Sequence, residues 1–250
     1  MIVSKEIKAL GKLVQRLRVV DKKFRVFGSE QHKYKFGPTL SEAELKAFEV
    51  SNGCKLPEDY RQFLATIGNG GAGPFYGLEP LGTFGRDLSK PFPLAEATKQ
   101  LSGVELEKVG ASDSGVLEFC HQGCCIYSYL VVNGPTYGTI WFGREDFFPT
   151  DLSFSIWYRS WAEKALQALK NENKVSLLRV GMSKADVIKK VGGDWRTRKA
   201  LYGPIWYFEA SNIPAQLELD EHGIVIKVNP RQFIVANPEW PPKAAQIRSS

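Results

Sequence analysis

The sequence predicts an α+β protein, with a second, smaller α+β module toward its C-terminal end. Three observations lead to this fold class. Helical patterns of apolar residues fill much of the first 70 residues. β-branched and aromatic residues dominate residues 116–142, and a helix-then-hairpin pattern begins after the polar segment 170–174. With 250 residues, the chain can bury a substantial core in one large domain or two smaller ones.

Three stretches before residue 68 are predicted to be amphipathic helices. In residues 39–53, Ser41 and Glu44 form a capping box. In residues 56–67, Pro57 precedes two acidic residues, which suits the first turn of a helix. Residues 21–37 are predicted to form short strands and turns. The first helix covers residues 4–19, and its apolar positions are Ile7, Leu10, Val14 and Leu17.

The glycine-rich segment 68–73, GNGGAG, could be a phosphate-binding loop or a turn. Phosphate loops usually follow a strand and open a helix, whereas this segment follows a helix and lacks the lysine of a nucleotide-binding loop. We therefore predict a sharp turn that needs positive φ angles and ends the preceding helix.

Residues 116–142 are predicted to form two or three strands, because NGP and YG punctuate a β-rich run. A closing helix follows at residues 155–169. Its buried stripe is expected to consist of Ile156, Trp157, Trp161, Ala165, Leu166 and Leu169.

The C-terminal module begins with a short helix at residues 181–193, where Ser183 is the N-cap and Asp186 completes a capping box. Residues 204–210 read as a strand and residues 215–229 as a hairpin. The expected apolar face of the helix is Val187, Ile188 and Val191.

Charge and composition limit the classes of partner. Residues 1–36 carry a net charge of +7, from ten basic and three acidic residues. Residues 37–173 carry −6, from 11 and 17, and residues 174–250 carry +5, from 12 and seven. The overall +6 would favour nucleic acid, but an acidic centre repels phosphate and attracts a basic partner. Residues 5–25 could bind nucleic acid or anionic lipid, and we favour a solvated helix face instead.

The location is expected to be cytoplasmic, without membrane association. No apolar run approaches the roughly 18 residues of a membrane span, and the N-terminus does not read as a signal peptide. Only four cysteines are present, three of them in residues 120–125, so a disulfide scaffold is not expected.

Residues 120–125, CHQGCC, contain three thiols and a histidine and superficially resemble a zinc-binding set. Zinc ligands are usually paired at a spacing of two to four, and adjacent Cys124 and Cys125 would point to opposite faces of a strand. We therefore predict buried cysteines, no metal and no cofactor. His32 and His222 read as exposed. Since no catalytic triad or dinucleotide fingerprint is present, we do not expect an enzyme.

Several elements in a fixed order resemble the SUKH superfamily, which includes yeast cell-wall-assembly regulators and bacterial immunity proteins. They are an acidic helix, LPEDYRQFL, NGGAGPFYGLEPL, the hairpin HQGCCIYSYLVVNGPTYGTIWF and FSIWYRSWAEKAL, which together span residues 37–169. The resemblance implies a mainly antiparallel twisted sheet backed by helices. The family's Gly-Cys is often followed by glycine, where this chain has Cys125. The residues that match the fold motif are Leu56, Pro57, Tyr60, Asn69, Gly70, Gly71, Gly77, Gly123, Cys124, Gly134, Gly138 and Trp141.

Within residues 176–235, the stretches RVGMSKADVIKKVGG, WYF and LELDEHGIVIKV form a helix-then-antiparallel-strands pattern, which resembles the small module of β-lactamase-inhibitory proteins and SmpA-type lipoproteins. The predicted organisation is therefore a basic helix and extension at 1–36, a SUKH-like domain at 37–170, a small α+β module at 175–236 and a tail at 237–250.

The resemblance to the SUKH superfamily implies a protein-binding scaffold, often an immunity protein that occludes a toxin domain such as a nuclease. A regulatory scaffold for a housekeeping partner is the alternative, and an unrecognised enzyme or a nucleic-acid binder is less favoured. Aromatic residues beside glycines suit either interface anchors or a core corner. The candidate partner-binding residues are Phe75, Tyr76, Glu79, Asp87, Glu105 and Glu107.

Overall fold

A computed structural model describes residues 4–94, 114–143, 147–193, 195–199, 205–210, 213–236 and 238. The α+β prediction is confirmed, because helices accompany two antiparallel sheets. The helices are α1 (Lys5–Val20), α2 (Ser29–His32), α3 (Glu42–Asn52), α4 (Glu58–Thr66), α5 (Phe154–Lys170) and α6 (Lys184–Val191), with a 3₁₀ helix at Glu172–Leu177. The strands are β1 (Val116–Gly123), β2 (Ile126–Val131), β3 (Thr139–Gly143), β4 (Phe147–Ser153), β5 (Arg196–Lys199), β6 (Trp206–Ala210), β7 (Ile213–Leu219) and β8 (Val225–Pro230).

Helix α1 packs along α5, and its predicted apolar positions are all buried. The Ser4 hydroxyl accepts a hydrogen bond from Ile7 N and caps the helix. The buried face of α1 belongs to the same core as the sheet and the central helices, so the basic extension and the domain that follows share one interior. Among the described helices, none is both long and apolar enough to cross a bilayer.

The segment after α1 was expected to contain short strands, and instead it holds the short helix α2. The cause is the buried carboxylate of Asp21, which accepts hydrogen bonds from Arg25 N (2.7 Å), Val26 N (3.0 Å) and Tyr34 Oη (2.6 Å). Short polar side chains that bond nearby backbone groups favour turns over extended pairing. The residues predicted as strands form only isolated bridges, such as Phe36 with Gly71.

Local signals set the boundaries of α3 and α4 correctly. The capping box is present, with Ser41 Oγ accepting from Glu44 N and Glu44 Oε2 accepting from Ser41 N. Pro57 is the N-cap of α4, and Asp59 accepts a hydrogen bond from Ser155 N at 2.8 Å, which links α4 to α5.

The glycine-rich segment 68–73 forms a sharp turn, as predicted, and we call it the glycine joint. Gly71 has a φ of 93° and exchanges hydrogen bonds with Leu78 in both directions, at 2.8 and 2.7 Å. A Cβ at Gly71 would lie 2.3 Å from the carbonyl oxygen of Lys35, so any side chain there would clash with backbone. The turn therefore needs glycine for both its φ angle and its close approach.

The first sheet has the order β1-β2-β3-β4, and every neighbouring pair is antiparallel. One face carries Phe119, Leu130 and Ile140, which join the core formed with the helices. Trp141 and Tyr129 belong to a separate buried cluster. The predicted run 116–142 accounts for β1 to β3. Strand β4 was not predicted because its sequence, FFPTDLS, contains proline, which a sheet tolerates at an edge strand such as this one.

In α5 the predicted buried stripe is largely correct, but Ile156 is exposed and Leu169 is only partly buried. Trp157 and Trp161 are at most 1% exposed, whereas Ile156 is 56% exposed. It directly precedes Trp157 and therefore lies about 100° away around the helix.

The second sheet has the order β5-β6-β7-β8, again antiparallel throughout, and α6 covers one of its faces. The capping box of Ser183 and Asp186 is present, and the predicted hairpin corresponds to β7 and β8. Ile188 is 46% exposed, contrary to its expected burial. Strand β5 was missed because its sequence, RTRK, has no apolar residue.

The residues that match the fold motif occupy the core and the turns. Leu56, Tyr60 and Trp141 are at most 1% exposed. Asn69 Oδ1 accepts a hydrogen bond from Leu81 N at 2.7 Å. The remaining glycines of the motif, all with positive φ, are Gly70, Gly77, Gly123, Gly134 and Gly138.

Candidate protein-binding surface

Six aromatic rings lie in a row across one surface, and none of them is buried. Each ring contacts the next, with centroid separations of 6.3, 5.1, 5.4, 4.7 and 6.2 Å along the row. We call this surface the aromatic strip. In order, its members are Phe233, Phe27, Tyr76, His121, Tyr127 and Phe84.

His121 is the centre of the strip. Its ring is stacked on Tyr76 with an interplanar angle of 27° and on Tyr127 with an angle of 29°. His121 and Tyr127 are cross-strand partners in the β1–β2 hairpin. Such pairs on one face of a sheet contact each other directly, so the hairpin register sets this half of the stack.

Backbone pairing brings Tyr76 to the same place. The segment 76–79 runs along the edge of β1, where Tyr76 N donates to the carbonyl of His121 (3.4 Å) and Glu79 N donates to that of Phe119 (2.9 Å). The preceding turn directs the segment there, since a Cβ at Gly77 would lie 2.4 Å from Gly71 O. The glycine joint thus positions a ring of the strip and covers the edge of β1.

The N-terminal extension and the C-terminal segment supply Phe27 and Phe233, at the other end of the aromatic strip. Phe27 N donates to Ile234 O (2.9 Å), and Ile234 N donates to Arg25 O (2.7 Å). The Arg25 guanidinium donates to the carbonyls of Gln232 (2.9 Å) and Arg231 (3.0 Å) and pairs with Glu172. These bonds hold Phe233 beside Phe27.

The predicted partner-binding residues that the structure describes differ in their burial and in the part of the fold they occupy. Tyr76 is in the strip. Phe75 is only 8% exposed and belongs to the core, because its neighbour takes the outward position at the turn. Glu79 is partly buried beside β1. Asp87 is exposed; hydrogen bonds from Ser89 and Lys90 lower the pKa of its carboxyl to about 2. Glu105 and Glu107 lie outside the described residues.

Sequence reasoning missed five members of the strip. The two-residue turn alone would pair Tyr127 with Gln122, whereas an irregularity between His121 and Gly123 places His121 opposite Tyr127, so sequence reasoning could have found the hairpin but not this pair. Nothing local connects the others, which come from separate parts of the chain: Phe27, Phe84 and Phe233.

The expected burial of the cysteines is wrong for two of them. Cys120 is buried, and its thiol donates to Pro74 O at 3.4 Å. Cys124 and Cys125 are exposed and form the β1–β2 turn, with φ angles of 50° and 61°. Within the described parts of the chain, no group of three or more His, Cys, Asp or Glu is placed to hold a metal ion.

His32 was expected to be exposed, and it is buried, at 9% exposure. Its Nδ1 accepts a hydrogen bond from Tyr34 N at 3.0 Å, whereas Nε2 lies near the carbonyl of Gly73 without a well-formed hydrogen bond. Burial lowers the pKa of the imidazole to about 4, against weaker opposing effects of Gly73 and Asp21.

Charged residues are arranged outside the strip. On α3 and α4, Arg61 pairs with Glu42 and with Glu49, so part of the central acidic charge is neutralised within the protein. On α1 the exposed basic face forms no ion pair with any other described residue, and its members are Lys5, Lys8, Lys12 and Arg16.

Comparison with known proteins finds a family match for the part of the chain that contains the centre of the strip. No curated protein and no solved structure matches the sequence. Residues 39–160 match the model of the SMI1 / KNR4 family (SUKH-1), in agreement with the motifs in the glycine joint, the hairpin and α5. The segment 39–160, slightly less than half of the chain, is therefore similar to the SMI1 / KNR4 family (SUKH-1) of the SUKH superfamily.

Proposed function

We propose that this chain is an immunity-type protein that binds a bacterial toxin domain in the cytoplasm and neutralises it by occlusion. The observation that carries the proposal is the aromatic strip. In this proposal, residues 37–170 are the main binding domain, the extension at 1–36 and the second module at 175–236 add Phe27 and Phe233 to the strip, and residues 237–250 are a tail. No bond is made or broken.

The strip has the physical character of an interface anchor. Partly exposed tyrosine and histidine rings offer flat apolar faces and polar atoms, and few rotatable bonds are lost when they are covered. Tyr76 and His121 are already stacked before a partner arrives. A preformed arrangement reduces the ordering cost of binding, which favours high affinity.

The SUKH superfamily supports a non-catalytic role, since it includes immunity proteins and regulators. The acidic balance of residues 37–173 suits a basic partner, such as a nuclease domain, and would speed the encounter. A regulatory scaffold with a housekeeping partner would use the same surface, and the experiment below separates the two.

The test is co-expression with the toxin domain encoded beside the gene, scored for survival and for binding of the purified proteins. Wild type should rescue growth. Tyr76→Ala should weaken binding by roughly 30-fold or more, as expected for an interface hot spot. Tyr137→Ala is the matched control, because Tyr137 is 44% exposed on a different hairpin turn and should bind as wild type does.

Two results would contradict the proposal. If wild type neither rescues growth nor binds the toxin domain, the immunity role fails and the regulatory scaffold takes its place. If wild type rescues and Tyr76→Ala rescues equally well, the partner is a toxin but the strip is not its binding surface.

A further inference from the structure

The tip of the β1–β2 hairpin carries two neighbouring thiols. Gly123 and Ile126 are paired residues of the hairpin, and Cys124 with Cys125 forms the two-residue loop between them. Both loop residues have positive φ, the pattern of a type I′ turn. Both are exposed, unlike Cys120, which is buried, and Cys54, which is half-buried.

In this turn the two side chains diverge less than they would on a strand. On a strand, adjacent residues point to opposite faces. Residues in a left-handed helical conformation are instead related by about 100° of rotation, as in any α-type helix. Adjacent side chains are therefore not held on opposite faces in this loop, as they would be on a strand.

The thiols occupy a position that other residues would fill with less strain. Type I′ turns favour Asn-Gly because positive φ disfavours other side chains. The two exposed cysteines gain no core packing to offset that strain. Because no buried contacts offset the strained backbone, we infer that the role of these cysteines lies in the chemistry of their thiols.

We propose that Cys124 and Cys125 form a dithiol site for a thiophilic trivalent metalloid or metal ion that has two adjacent open coordination positions. The site is independent of the toxin-binding role. A centre of this class needs only two protein ligands, and in the described residues no third His, Cys, Asp or Glu is available to complete a larger set. Zinc in a structural site takes four ligands and should bind weakly here.

Phenylarsine oxide is the probe for this chemistry. Its As=O group reacts with both thiols to form two As–S bonds, and the two thiol protons leave with the oxide oxygen as water. Arsenic remains trivalent, so neither oxidant nor reductant is needed. The product is a ring that closes through the peptide joining Cys124 to Cys125.

The experiment measures phenylarsine oxide binding to the reduced full-length chain by intact mass and by competition. Wild type should bind one arsenical per chain. Cys124→Ser and Cys125→Ser should each weaken binding by about 100-fold, because the second thiol acts at high effective concentration. Excess dimercaptopropanol should remove the arsenical, and excess 2-mercaptoethanol should not.

Two further variants test which cysteines bind the arsenical and whether a loss of binding could come from misfolding. Cys54→Ser should bind as wild type does. The double variant Cys124→Asn/Cys125→Gly restores the residues that a type I′ turn favours, so it should fold well and lose the site. The proposal is overturned if either single serine variant binds as tightly as wild type, or if the double variant retains tight binding.

Discussion

The hydroxyl of Tyr158, on α5, donates a 2.6 Å hydrogen bond to the carbonyl oxygen of Ala72, 86 positions earlier in the chain. Both residues are fully buried. Burial raises the pKa of Tyr158 well above its usual value, so the hydroxyl stays protonated and available as a donor. The bond ties the closing helix to the glycine joint from which Tyr76 projects.

Tyr158→Phe should destabilise the protein by about 1–3 kcal/mol, because Ala72 O would remain buried without this donor. Urea unfolding followed by tryptophan fluorescence measures the change. Tyr137→Phe is the control and should leave stability unchanged, since Tyr137 is exposed. Equal midpoints for Tyr158→Phe and wild type would show that the bond contributes nothing to stability.

His32 should make stability depend on pH. Its folded-state pKa of about 4 is below the unfolded value of about 6.5, so between these values the unfolded chain binds a proton that the native protein does not. The stability of the folded state is therefore at its full value, with respect to His32, above pH 6.5. Up to about 3 kcal/mol of the free energy of unfolding is lost as pH falls toward 4.

The pH effect is isolated by comparing urea midpoints at pH 7 and pH 4.5 for wild type and His32→Asn. The asparagine side chain offers an oxygen to Tyr34 N but does not titrate in this range. The variant should lose less stability on acidification than wild type does, whereas His222→Asn, at an exposed position, should follow wild type. Parallel pH curves for His32→Asn and wild type would exclude this role for His32.

Cys124→Asn/Cys125→Gly should raise the free energy of unfolding by about 1–2 kcal/mol, because the replacements relieve strain at two positive-φ positions. The urea midpoint of the reduced proteins measures it. Cys124→Ala/Cys125→Ala removes the same thiols without relieving the strain, so it should not be stabilised. A gain of the same size in both variants would trace the effect to the thiols and not to the backbone.

Arg25→Met should loosen the C-terminal segment that carries Phe233. The substitution removes the donors to Gln232 O and Arg231 O and the partner of Glu172. Hydrogen exchange at the amide of Ile234, which donates to Arg25 O, should accelerate by about tenfold or more. Arg18→Met, at an exposed position of α1, should leave this exchange rate unchanged, and an unchanged rate in Arg25→Met would show that the guanidinium does not hold the segment.

Elements with local signals follow from the amino-acid order alone. The capping boxes at Ser41 and Ser183, the buried positions of α1 and the β7–β8 hairpin could be predicted, because each depends on residues a few positions apart. The motifs around the glycine joint were also sufficient to indicate the family.

Side chains without a local signal have positions that depend on packing between distant parts of the chain. Strand β5 has no apolar residue and forms because β6 offers it a partner, and His32 is buried by packing that its neighbours in sequence do not reveal. The aromatic strip joins rings from Phe27 to Phe233, across pairings whose register is fixed by burial of the sheet and by the glycine joint. Contacts between residues so far apart in the chain arise from packing in three dimensions, which no local pattern records.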